Sequence, residues 1–119
     1  MVGNNEIAEK SKRFALRIIR LYQHLREDKK EFIMSKQLLR SGTSIGANVR
    51  ESVRAQSPAD FYTKLTISLK EADETAYWLE LLHESGYISD AAYVSIYADC
   101  EELIRLLVAI TKTLKENEA

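Results

Sequence analysis

Apolar residues recur at steps of three and four along nearly the whole chain, and three short stretches interrupt the pattern. That spacing is the period of an α-helix with one buried face, so the sequence divides into four amphipathic helical segments. The scarcity of breakers agrees. With four Gly and one Pro in 119 residues, there is little material for the frequent turns of a strand-rich fold.

The first segment carries Ile7, Phe14, Ile18, Leu21 and Leu25, and the charged run from Arg26 to Glu31 reads as a turn. The second spans about Phe32 to Ala55, with Leu38, Gly42, Ile45, Val49 and Ser52 as its inward stripe. That stripe is small, and Ser41, Ser44, Gly46 and Ala47 lie beside it. Glycine inside a helix costs about 1 kcal/mol against alanine, so two of them predict a close backbone approach that offsets the loss. Ser57-Pro58-Ala59-Asp60 reads as a helix start: serine caps, proline takes the first helical position, and Asp60 can close a capping box. The third segment follows through Phe61, Leu65, Ala72, Leu79 and Leu82, and Gly86 predicts a left-handed stop with Tyr87 and Ile88 folding back. Ser89 caps the fourth, Asp90 stands in its first turn, and Tyr93, Ile96, Cys100, Leu103, Leu107, Ile110 and Leu114 follow. Short connections make consecutive helices antiparallel, which predicts one all-α domain over residues 1–119, an up-down-up-down four-helix bundle.

Composition adds limits. Apolar residues at 45% and charged residues at 29% describe a folded domain rather than a disordered one. A lone Cys100 cannot form an internal disulfide, no apolar run resembles a secretory leader, and no stretch reaches the ~18 apolar residues of a membrane span. A cytoplasmic protein without a membrane partner is expected. Residues 1–56 hold 12 Lys and Arg against 6 Asp and Glu (+6), and residues 57–119 hold 5 against 12 (−7). Either the first two helices pair with the last two, in the same or a neighbouring chain, or the basic half offers a functional face. Apolar residues beyond the inward stripes, among them Ala15, Ile19, Tyr22, Tyr62, Ile67, Leu69, Tyr77, Trp78, Tyr97, Ile104 and Val108, predict a second buried surface and hence self-association.

Catalytic and metal chemistry find little support. A two-metal bundle site needs Glu-x-x-His on each of two helices. Glu80-Leu81-Leu82-His83 supplies it once, and His24 has Leu21 where the paired glutamate belongs. Cys100 lies on an inward stripe, where it acts as a small hydrophobe. Gly42 and Gly46 lack the lysine and hydroxyl of a phosphate loop. The chain therefore reads as a non-enzyme with no catalytic residue, metal ligand or cofactor. The suggestive constellation is basic: Lys10, Arg13, Arg17 and Arg20, then His24, alternate along the first helix, and Lys36, Arg40, Arg50 and Arg54 along the second. Aligned cations can track phosphates with little sequence preference, and without aromatic residues among them they do not read bases. The plainer reading is a solvated face, or partners for acids on helices three and four.

The run Arg40-Ser41-Gly42-Thr43-Ser44-Ile45-Gly46-Ala47-Asn48-Val49-Arg50-Glu51-Ser52 resembles the second-helix signature of a bacterial four-helix bundle family. Proteins encoded in intervening sequences of 23S ribosomal RNA genes belong to it, as do accessory proteins of diversity-generating retroelements. A second block matches in Asp60-Phe61, Leu69-Lys70-Glu71-Ala72, Glu74-Thr75, Trp78-Leu79 and Leu82, ending in Ser85-Gly86-Tyr87-Ile88. The resemblance implies a ring-like homopentamer, with RNA or a reverse-transcriptase-like protein as partner. Many members have proline, alanine and glycine where Gly46, Arg50 and Ser52 stand. Within the signature, Ser44, Asn48 and Glu51 read as a buried polar network fixing the second helix. Two functions remain: an RNA-associated oligomer gripping phosphates through the eight cations of the two stripes, or a protein-interaction scaffold that binds no nucleic acid.

Overall fold

The structure is a computed structural model that describes residues 2–118, with side chains from 6 to 117. Four helices follow one another: α1 (Val2–Glu27), α2 (Met34–Val53), α3 (Pro58–Glu84) and α4 (Asp90–Glu118). No strand occurs among the described residues. Each helix packs on its chain neighbours and α4 closes back on α1, while among the described residues no diagonal pair brings its backbones close. The result is a four-helix bundle whose α1/α2 and α3/α4 sides lie opposite one another. Its long axis is 48 Å, close to the ~43 Å of a 29-residue helix at 1.5 Å per residue.

The inward stripes form one core. Ile7, Phe14, Ile18 and Leu25 meet Leu38, Ile45 and Val49, Leu65, Ala72, Leu79 and Leu82, then Ile96, Cys100, Leu103 and Leu107. Gly42 and Gly46 are needed where α1 and α2 press together. A Cβ on Gly42 would lie 2.8 Å from both Cγ1 and Cγ2 of Ile18, and one on Gly46 would come within 3.4 Å of the Ser11 backbone. Buried hydroxyls stitch α2 to α3: Ser68 Oγ donates to the Ile45 carbonyl at 2.8 Å, and the Thr75 and Ser41 hydroxyls lie 2.9 Å apart. This corrects the polar network expected at Ser44, Asn48 and Glu51. Asn48 Nδ2 donates to Ser44 O at 2.8 Å and Ser44 Oγ to Arg40 O at 2.6 Å, both within α2. Glu51 is exposed and pairs with Lys64 at 3.1 Å. These three occupy the flank of α2, whereas Ser41 and Ser52 are buried.

Helix ends explain the rest. Ser57 is extended and its Oγ accepts from Asp60 N at 3.1 Å, with Pro58 in the first turn. The Asp60 carboxylate accepts from Gln56 N, one residue upstream of the expected box, at 3.1 Å. Gly86 has φ 88°, and paired bonds from Gly86 N to His83 O at 3.0 Å and Tyr87 N to Leu82 O at 2.8 Å stop α3. Ser89 Oγ accepts from Ala92 N at 3.2 Å and so caps α4. α2 begins two residues later than the periodicity predicts, because the Glu31 carboxylate gathers the N–H groups of Ile33, Met34 and Ser35 at 3.2, 3.2 and 2.7 Å. Ser35 Oγ returns a bond to Glu31 O at 2.7 Å.

Candidate nucleic-acid interface

The eight stripe cations do not form one track. A residue on an α-helix advances 100°, so spacing alone leaves open which flank a long series reaches. In the bundle they divide over the seams between helices.

Lys10, Arg13, Arg17 and Arg20 run along the α1/α4 seam. Lys10 Nζ contacts Glu102 at 2.8 Å and Glu6 at 3.0 Å, and those hydrogen bonds, Glu102 first, raise its pKa. Arg17 pairs with Asp99 at 2.6 Å and donates to Ser95 Oγ at 3.0 Å. Arg13 and Arg20 border the same shallow depression and are exposed, with no ion pair among the described residues. Arg40 turns to the α2/α3 seam, where its guanidinium meets Glu74 and lies 3.1 Å from Glu71. Trp78 Nε1–H donates to the same Glu74 carboxylate at 3.1 Å. That indole bond, with Arg40 beside it, holds the Glu74 carboxyl below its ordinary pKa.

Arg50 and Arg54 border a groove on the α1/α2 side. Lys12 joins them, Ala8, Ala15, Gly46, Ala47 and Val53 form its floor, and no carboxylate lines it. Thr43 connects it to a second depression bordered by Ile19, Tyr22, Arg26, Lys30, Phe32 and Leu39, with Glu27 as its acid. Lys36 stands exposed near the start of α2. Lys12, Arg26 and Lys30 are basic residues outside the eight stripe positions. Lys12 and Arg26 belong to the series Ala8, Lys12, Ala15, Ile19, Tyr22 and Arg26 of α1, a three-four series beside the inward one, and Lys30 follows in the turn after that helix.

Other titratable groups are tied into the α3/α4 seam. His83 Nε2 lies 2.7 Å from an Asp90 carboxylate oxygen and the ring stacks on Tyr93 at 4.1 Å. Tyr97 Oη donates to Glu80 at 2.7 Å, which, with burial, raises the phenol's pKa. Glu80 and His83 thus serve different partners. Burial, then the charges of Glu80 and Glu84, raises Tyr93. Cys100 is buried and donates to Ala72 O at 3.4 Å, and burial pushes its thiol up to about 12. A thiol held so far from thiolate is no nucleophile at neutral pH. No group of three or more His, Cys, Asp or Glu is placed to hold a metal among the described residues, and no described helix is long and apolar enough to cross a membrane.

These features define a class: a four-helix bundle with a small-residue second helix and ion-paired seams. The chain belongs to the family of 23S rRNA-intervening sequence proteins, whose model matches residues 3–109. It is similar to a protein of unknown function from the S23 ribosomal protein family of Bacteroides thetaiotaomicron, known from a crystal structure. The two are 55% identical with a TM-score of 0.91, over 92% of this chain and 98% of that one. Nothing among curated proteins matches the chain.

Proposed function

We propose that the chain is a non-enzymatic, RNA-associated protein that works as an oligomer in the cytoplasm. The observation that carries this reading is the pair Arg13 and Arg20, exposed beside an Arg17 that Asp99 already holds. Lys10, Arg17 and Arg40 serve the bundle's own acids, so the phosphate-contacting capacity rests on cations without such partners. Arg13 and Arg20, with Lys36, Arg50 and Arg54, make no ion pair among the described residues, and so few cations per subunit bind phosphate weakly. Repetition around an oligomer, such as the ring-like homopentamer implied by the resemblance, raises avidity without new contacts. Family membership supports an RNA setting, and the match runs along residues 3–109 rather than resting on Arg13 and Arg20.

Fluorescence anisotropy with a labelled structured RNA tests the reading. Affinity should fall by orders of magnitude between about 50 and 200 mM salt, and an Arg13→Ala/Arg20→Ala variant should bind more weakly with a shallower salt slope. Unchanged binding by that variant would overturn the assignment of the site. Absence of binding at low salt would favour the second reading, a scaffold for a protein such as a reverse-transcriptase-like partner, which the internal neutralisation of Lys10, Arg17 and Arg40 supports.

A further inference from the structure

The first and last helices meet less closely than the other neighbours in the bundle, and the seam between them is unevenly filled. A notch of about 240 Å³ opens in it, lined by Arg17, Arg20 and Leu21 of α1 and by Ile88, Ala92 and Ile96. Ile88 and Ile96 are buried and form its floor, while Ala92 is exposed between them. Alanine at that place, with a branched side chain four residues to either side, is what leaves the space. The two arginines of the rim are in different states. Arg17 is held: Nη1 donates to Asp99 at 2.6 Å and Nη2 to Ser95 Oγ at 3.0 Å. A guanidinium is planar and its N–H groups lie in that plane, so these bonds occupy the edge of Arg17 and leave its faces open. Arg20 is exposed and makes no ion pair among the described residues. It also borders the depression that holds Arg13, so the two hollows adjoin. No carboxylate lines the notch among the described residues. The α4 acids nearest to it in sequence, Asp90 and Asp99, lie against His83 and Arg17.

We propose that this notch seats one unpaired base of an RNA, with phosphates of the same strand on Arg20 and Arg13. The seat rests on the RNA-associated part of the proposed function and selects one form of RNA, a helix interrupted by a bulged or looped-out nucleotide. A base that leaves its stack needs another surface to cover its faces, and unpaired bases in RNA are held by stacking on aromatic rings or on arginine planes. Leu21, Ile88, Ala92 and Ile96 supply apolar walls, and the held guanidinium of Arg17 supplies the plane. Because Asp99 and Ser95 already order that side chain, less freedom is lost when a base lies on it. The space is smaller than the ~300–1,000 Å³ of sites that take drug-sized molecules, which suits a single base and not a base pair. Arg13 and Arg20 stand seven residues apart, about 10.5 Å along α1 at 1.5 Å per residue, so each can take its own phosphate while the base turns inward.

Fluorescence anisotropy of the full chain with three labelled RNA hairpins tests the seat. One hairpin is fully paired, one carries a single unpaired adenosine, and one has an abasic residue in place of that adenosine. The adenosine hairpin should bind about tenfold more tightly than either of the others. The abasic hairpin keeps the flexible backbone of the bulge and so isolates the base. Ala92→Leu fills the notch from an exposed position, and a circular dichroism melt establishes that the variant is folded. It should bind the adenosine hairpin only as tightly as the paired one. Equal affinity of the wild type for all three hairpins would overturn the seat while leaving Arg13 and Arg20 as phosphate contacts. Adenosine and abasic hairpins that bind alike would overturn it in favour of backbone flexibility. A preference for the adenosine hairpin that survives in Ala92→Leu, or a loss of the paired hairpin together with the bulged one, would also overturn it. A wild type that binds no hairpin at low salt would remove the RNA-associated reading itself.

Discussion

At the scale of single residues, the α1–α2 contact depends on side chains that are missing. Gly42→Ala gains about 1 kcal/mol of helix propensity but pushes a methyl to 2.8 Å from Ile18. Overpacking costs typically 1–3 kcal/mol, so the expected result is a net loss of about 1 kcal/mol. In an Ile18→Ala background the same substitution should cost nothing or stabilise, a coupling that urea denaturation of the four proteins in the cycle measures. The Glu74 carboxyl makes a pH prediction. Its folded pKa is depressed by Trp78 and Arg40, so its contribution is present above the unfolded value of about 4.3. It is lost as pH falls through the lower folded value. Glu74→Gln should flatten the decline of Tm on acidification below about pH 4.5. An unchanged slope would show that the Trp78 and Arg40 bonds do not favour the charged form. Residues with fixed local chemistry were legible in the sequence: Ser57 and Pro58 at a helix start, and Gly86 with its positive φ at a helix end. Glu31 was not. Glutamate rarely caps a helix, and this one does so because the turn folds its carboxylate inward to 8% exposure, where three N–H groups need an acceptor.

Elements were more legible than their flanks. The stripe Leu38, Gly42, Ile45, Val49 and Ser52 is buried as read, because a three-four series identifies the face directed at the core. It does not say which residues on either side meet a neighbouring helix. Ser44, Asn48 and Glu51 therefore carry no buried network, and Ser41, Ser68 and Thr75 carry the polar contacts. The same ambiguity dispersed the candidate site. Ten residues at 100° each leave Arg50 about 80° around the helix from Arg40, enough for one to meet α3 and the other to border α1. Of the surplus apolar residues, Leu69, Trp78, Tyr97 and Ile104 pack at the edge of the core, whereas Ile19, Ile67, Tyr77 and Val108 stay exposed. For α2 as an element, Glu31→Ala should cost about 1–2 kcal/mol, in the range of a lost helix cap, while Glu31→Gln, which keeps one acceptor, should cost less. Equal chemical-denaturation midpoints for the two variants would mean that the carboxylate's charge, rather than its hydrogen bonding, starts the helix.

For the whole molecule, the opposite charges of the two halves are partly satisfied inside the bundle. Lys10–Glu102, Arg17–Asp99 and Arg40–Glu71 cross from the basic half to the acidic one. Each is partly exposed and screened by solvent, so they orient helices more than they hold them. The seam between the first and last helices is the least extensively packed of the four, and two of these ion pairs bridge it. The other three seams join neighbours in the chain, and forming them closes only short loops. A chain so arranged should assemble progressively from local hairpins and should fold fast for its size. The last closure brings together helices separated by most of the sequence, and by microscopic reversibility it is the first to give way. Native-state hydrogen exchange should therefore show α4 amides opening at a lower free energy than those of α2, with Arg17→Met widening the gap. Uniform exchange across the four helices would mean that the bundle opens all at once, with no early parting of its two ends of chain.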